Sequence, residues 1–141
     1  MTTAADIMHS GVKWVSATDT LDQVAQLMSE LNVGAIPVAD PGTSNQRMCG
    51  IITDRDIVVG CIAAGRDPFQ ITAGEMCKGT PRWVSTKAGV DEVLREMESH
   101  QIRRLPVIDE NKRLVGMISE ADLAHHLTDD QIAEFVERVY A

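Results

Sequence analysis

Positive charge is scarce in this sequence. Lys and Arg number 13 against 21 Asp and Glu, giving a formal net charge of −8, with a pI near 4.8. A protein that holds a nucleic-acid backbone needs a basic face to displace counterions, so nucleic acid is excluded as the main partner. A local spot such as Arg103-Arg104 can still hold a small anion. Long hydrophobic runs are also missing. No stretch approaches 18 consecutive apolar residues, so no membrane span is expected. Met1-Thr2-Thr3-Ala4-Ala5-Asp6 has neither a basic region nor an apolar run, so no signal peptide is expected. These absences lead to the expectation of a soluble, cytoplasmic chain.

Chemistry-bearing motifs are equally sparse. The three cysteines, Cys49, Cys61 and Cys77, are odd in number and show no C-x-x-C spacing. They read as small apolar residues in a reducing compartment, or as a disulfide or redox element, and only geometry separates the two. His9, His100, His125 and His126 form no H-E-x-x-H. The adjacent pair would point about 100° apart on a helix, so no metal site is expected. No Gly-x-Ser-x-Gly elbow or Walker loop occurs, so no catalytic residue and no enzyme is expected. Met28, Met48, Met76, Met97 and Met117 fall on apolar positions and read as core.

What is present is a globular composition, 44% apolar and 24% charged over 141 residues. A chain of this size buries roughly two thirds of its unfolded surface, enough for a core without staples. The chain also contains a repeat. Gly50-Ile51-Ile52-Thr53-Asp54-Arg55-Asp56 returns as Gly116-Met117-Ile118-Ser119-Glu120-Ala121-Asp122. Upstream, Val15-Ser16 matches Val84-Ser85, Met28 matches Met97, and Pro37-Val38 matches Pro106-Val107, all at one offset (84 − 15 = 69). After the next turn the offset is 66 (116 − 50 = 66), which places three extra residues in the polar stretch 40–46. Chance matches would not stay in register, so the chain is a duplication.

Each copy reads in the same order. A short strand at Val15-Ser16 or Val84-Ser85 precedes a helix. Thr20-Leu21-Asp22-Gln23 is a capping box, and Leu21, Val24, Ala25, Met28 and Leu31 make the apolar face behind it. Val90, Val93, Leu94 and Met97 make the second face. A hairpin follows, Ile36-Pro37-Val38 with Met48–Ile52, and Leu105–Ile108 with Leu114–Ile118. The prolines suit an edge or first strand position, because they lack a ladder donor. Closing helices are expected over 54–64, stopped by Gly65, and over 120–127. Thr128-Asp129-Asp130-Gln131 caps a last helix whose stripe is Ile132, Phe135, Val136 and Val139. That stripe packs back on the chain or joins a second subunit.

The order β-α-β-β-α twice, with hydrophobic-Pro-Val and Gly-h-h-[Ser/Thr]-x-x-Asp (h, apolar) in each copy, resembles the tandem CBS-domain (Bateman) module. More narrowly, Asp54–Val58, Arg103–Val107 and Glu120–Asp122 look like the small stand-alone CBS-pair proteins of the hypoxic response. The expected fold is α+β: motif 1 with its linker over 1–70, motif 2 over 71–127, and a C-terminal helix over 128–141. The resemblance implies a pseudo-twofold module with two clefts between the motifs, pairing as a homodimer, that takes AMP, ADP or ATP and requires no cofactor. Asp56 and Asp122 would accept the hydroxyls of a ribose. Thr53 and Ser119 would sit beside the phosphate at a helix start, with Arg55 and one of Arg103 and Arg104 as the guanidinium partners. Ile36, Pro37, Leu105 and Pro106 would wall the base slot. The same Thr53-x-x-Asp56 and Ser119-x-x-Asp122 spacings serve as helix caps without any ligand. The leading expectation is a non-enzymatic nucleotide sensor acting on an unknown protein target. The alternative is a ligand-free stress- or dormancy-associated interaction protein acting through its dimer surface.

Overall fold

The computed structural model describes residues 1–40, 48–77 and 82–140. Most of the polar loop expected to carry the three-residue insertion (41–46) lies outside the described residues. In chain order the elements are α1 (Ala4–Ile7), β1 (Val15–Ser16), α2 (Leu21–Leu31), β2 (Ala35–Ala39), β3 (Met48–Thr53), α3 (Asp54–Ile57), a π-helical turn (Val58–Ile62) and α4 (Ala73–Met76). They continue with β4 (Val84–Ser85), α5 (Val90–His100), β5 (Arg104–Ile108), β6 (Leu114–Ser119), α6 (Glu120–Ala124) and α7 (Asp129–Val139). The α+β class and the duplication both hold. Two compact units result, Lys13–Pro81 and Met1–Val12 with Arg82–Ala141.

In the Lys13–Pro81 unit the sheet order is β1-β2-β3, β1 parallel to β2 and β2 antiparallel to β3. Thr20 opens α2, its N–H donating to Gln23 Oε1 at 3.0 Å. Leu21, Val24 and Met28 then meet Ile36, Val38 and Ile52 of the sheet in one buried cluster. Burial at about 25 cal/mol per Å² of apolar area is what holds helix to sheet here. Ala25 and Leu31, expected on the same face, are exposed. Leu27 packs on the core instead. Asn32 ends α2 in the left-handed region at φ 55°.

The other unit repeats this plan with the order β4-β5-β6. Val93, Leu94 and Met97 of α5 pack on Leu105, Val107 and Ile118. Phe135 and Val139 of α7 complete that core, so the C-terminal helix packs back against its own unit along α5.

The placement of the prolines differs from expectation. Pro37 and Pro106 sit in β2 and β5, the middle strands. The strand on their far side is only two residues long, and β1 pairs no earlier than Val38, β4 no earlier than Val107. Across from each proline that edge of the ladder is therefore locally open, and the missing N–H costs no bond.

The opening segments are exchanged. Sequence order places residues 1–12 with the first motif, yet they pack with the second half. Ala4 N–H donates to Ala88 C=O at 2.7 Å, and Ala73 N–H donates to Asp19 C=O at 2.8 Å. These bonds are repeat equivalents (4 + 69 = 73; 88 − 69 = 19). The closing helices are shorter than expected, because α3 gives way to the π turn at Val58 and α6 ends at Ala124. Gly65, expected as the stop of the first, lies beyond the π turn, which ends at Ile62, and has a positive φ of 75°.

Candidate functional site

Each unit presents one helix start at the end of its last strand. In the first, Thr53 N–H donates to Asp56 Oδ2 at 2.9 Å and Asp56 N–H returns a bond to Thr53 Oγ1 at 3.1 Å. Ser119 and Asp122 repeat this with 2.8 and 3.3 Å. Both are complete capping boxes, so the structural role of the four residues is real. The α-helical runs behind them are only four and five residues long. A full macrodipole does not develop over the one turn of α6, and α3 is extended only by the π turn to Ile62, so anion affinity at either start rests largely on local N–H groups and side chains.

The two carboxylates are not equivalent. Asp122 Oδ2 also accepts from Ser119 Oγ at 2.9 Å and meets His9 Nδ1 at 2.7 Å. Burial alone would raise the Asp122 pKa. The Ser119 N–H, the His9 ring and the Ser119 hydroxyl outweigh it and hold the group below the ordinary carboxylate range. Among the described residues, Asp56 Oδ1 and Oδ2 together have one hydrogen-bond donor, the Thr53 N–H. Its outer oxygen is free to take a hydroxyl.

His9 was given no site role by sequence. Its backbone exchanges bonds with Met117 (3.0 and 3.1 Å), adding a bridge to the open edge of β6. The only sequence signal for this was the repeat of Asp6-Ile7-Met8 as Glu75-Met76-Cys77. The strand glycines have the same origin. A Cβ on Gly116 would sit 2.8 Å from Met8 Cγ and 2.9 Å from the His9 carbonyl oxygen. One on Gly50 would sit 2.9 Å from both Cβ and Sγ of Cys77. Glycine lets a crossing segment lie directly on the strand.

The arginines separate as well. Arg104 stands opposite Ser119 in the ladder, beside the second helix start. Arg103 turns away, its guanidinium 5.0 Å from the centre of the Tyr140 ring, and Tyr140 Oη donates to Glu120. Arg55 is exposed next to Asp54, whose Oδ1 accepts the Arg55 N–H at 2.8 Å. Ile36 and Leu105, expected to wall a base slot, are taken up by the two cores, with 1% and 0% exposure. Pro37 and Pro106 are buried too, and strand alternation puts them on the sheet faces opposite Ile36 and Leu105.

Residues 4–60 and 73–129 each match the CBS domain model. The chain belongs to the CBS domain family. CBS domains are generally regulatory rather than catalytic. The chain is 45% identical over 139 residues to hypoxic response protein 1 of Mycobacterium tuberculosis, covering 99% of this chain and 94% of that one. A crystal structure of Hypoxic Response Protein I with two coordinated zinc ions superposes with TM-score 0.80 at 47% identity, covering 90% of this chain and all of the other. The CBS protein PAE2072 from Pyrobaculum aerophilum, complexed with AMP, superposes with TM-score 0.80 over 96% of this chain and 99% of its own, at 21% identity, a likeness of fold.

Zinc does not fit what the described residues of this CBS protein offer. Among them no three His, Cys, Asp or Glu side chains converge in a way that could hold a metal ion. His9 and Asp122 supply two donors already bonded to each other. No helix among the described residues is long and apolar enough to cross a membrane.

Proposed function

We propose that this CBS pair is a non-enzymatic regulatory module that binds an adenosine-containing nucleotide, AMP or ATP in type, through Asp56 and Asp122. The observation that carries the reading is the uncommitted oxygen of Asp56, held in place by Thr53 at the mouth of a helix. A carboxylate fixed through one oxygen can accept both hydroxyls of a ribose with the other and with its remaining lone pairs. Arg55 and Arg104, both exposed near a helix start, supply the forked donors for phosphate. AMP held by a protein of the same fold supports the ligand class. In this reading Asp56 is the stronger ribose acceptor, because Asp122 must first share its carboxylate with His9.

Differential scanning fluorimetry with AMP, ADP, ATP, NAD and S-adenosylmethionine tests this, repeated on Asp56→Asn and Asp122→Asn. Ligand at 100 times its Kd stabilises by about 2.7 kcal/mol. We expect that gain with at least one adenine nucleotide, and its loss in Asp56→Asn with the apo stability little changed. A flat response to all five in the wild type refutes the proposal.

A second reading, an interaction protein acting through a homodimer surface, has its own observation. Val58, Val59, Ile62 and Phe69 are 58%, 50%, 53% and 64% exposed, four large apolar side chains within one short stretch of chain that a partner surface would cover. Light scattering decides it: a dimer dissociated by Val59→Glu favours this reading, and a monomer at every concentration sinks it.

A further inference from the structure

We propose that Cys49 and Cys77 form a reversible disulfide, a redox-sensitive cross-link built into the Lys13–Pro81 unit. Each of the two thiols lies near enough to shift the acidity of the other, while Cys61 is buried with its Sγ 3.5 Å from the Arg66 carbonyl oxygen. The register of β2 with β3 skips Cys49: Val38 faces Gly50 and Ala39 faces Met48. Cys49 is therefore the extra residue of a β-bulge, which breaks the strand's alternation and re-aims its side chain. Cys77 ends α4 and lies on Gly50, both its Cβ and Sγ 2.9 Å from where a Gly50 Cβ would be. Bulge and glycine together lay Cys77 on the strand beside Cys49.

The other unit shows that the fold, not the thiols, makes this meeting. Its β5–β6 register skips Val115 in the same way, and Met8 lies on Gly116. Val115 and Met8 are the repeat equivalents of Cys49 and Cys77 (49 + 66 = 115; 77 − 69 = 8). An apolar pair fills the position in one unit and two free thiols fill it in the other. A link would close a loop of 29 residues (77 − 49 + 1 = 29) that contains Thr53, Arg55 and Asp56.

The oxidant is a low-molecular-weight disulfide. Cys49 loses its proton to solvent, and its thiolate attacks one sulfur of the small disulfide, giving a mixed disulfide and one released thiolate. That thiolate takes the Cys77 proton. Cys77 then attacks Cys49 Sγ, the Cys49–Cys77 bond forms and a second small thiolate leaves. Two protein thiols are oxidised and one small disulfide is reduced to two thiols. Burial, followed by the neighbouring Asp40 charge, raises the Cys49 thiol. Burial, then Cys49 and Asp56, pushes Cys77 up to about 12. Both thiols stay protonated at neutral pH, so the reaction rate rises about tenfold per pH unit between pH 7 and 8.

The test uses the full chain with oxidised glutathione at pH 7 and 8, then unreduced tryptic mapping. Cleavage at Arg47, Arg55, Arg66 and Lys78 puts Cys49 in peptide 48–55, Cys61 in 56–66 and Cys77 in 67–78. The expected product is a single 48–55/67–78 linkage, with one free thiol left and a roughly tenfold rate ratio. Cys61→Ser retains it. Cys49→Val with Cys77→Met, which copies the other unit and so preserves the packing, leaves no linked peptide. Three thiols surviving saturating oxidant, a link through peptide 56–66, or only intermolecular links would each overturn the proposal. So would a native product no more selective than that of urea-denatured protein.

Discussion

Asp122 shows how one side chain carries two roles in different proportion from its repeat partner. Its lowered pKa comes from partners present only in the folded chain. A carboxylate lowered in this way contributes stability that is present above its unfolded pKa, about 3.9, and lost as pH falls through the folded value. The stability difference between wild type and Asp122→Asn should therefore be larger at pH 6 than at pH 3, and His9→Ala should shrink it, as urea titrations at each pH will show. The strand and loop glycines make a second residue-scale test. Gly116→Ala drives a methyl against Met8 and the His9 carbonyl, a clash of about 1–3 kcal/mol that Met8→Ala relieves only in part, since backbone remains. Gly65→Ala meets nothing within 4 Å but sits at φ 75°, so it costs about 1–2 kcal/mol through backbone strain alone. Met8→Ala should leave that loss untouched. Denaturation midpoints with an unchanged m value measure both.

Among the elements, α7 was the one whose partner the sequence left open. Its stripe of Ile132, Phe135, Val136 and Val139 is compatible with any apolar surface. Packing chose two of the four: Phe135 and Val139 are buried against α5, while Val136 is 48% exposed. Phe135→Ala should destabilise by about 3–5 kcal/mol, and Val136→Ala by less than about 0.5 kcal/mol, read from thermal or urea unfolding of the full chain. Equal losses would mean that α7 is held by a different face. The caps of α2, α3, α6 and α7 were all legible, because a hydroxyl with an acid or amide three residues on satisfies its own backbone locally. The π turn at Val58–Ile62 was not. Nothing in that apolar run distinguishes an i→i+5 bond from an i→i+4 bond until its neighbours are placed.

For the whole molecule, chain order and packing order differ at the N-terminus. Ala4 and Ile7, 0% and 3% exposed, belong to the core that also holds Leu105 and Phe135. Deleting residues 1–12 should weaken the second-half unit and not the unit that follows directly in sequence. Hydrogen exchange gives the readout: faster exchange over β5 and β6, with β2 and β3 little affected. The reverse pattern would contradict the exchanged packing.

The duplication, the α+β class, the helix caps and the family were determined by the sequence itself, since periodicity, capping spacing and a constant repeat offset are local or one-dimensional signals. Tertiary structure alone decided which repeat each opening segment joins, that Pro37 and Pro106 sit in middle strands, and that Ile36 and Leu105 belong to cores. It also decided that Cys77 lies on the strand at Gly50, next to Cys49, while Cys61 stays apart, and that His9 occupies Asp122 while Asp56 keeps an oxygen free. Each of these is a contact between residues far apart in the chain, or a choice between two equally apolar surroundings. Such choices depend on where the backbone goes, and that is settled only when the two cores close.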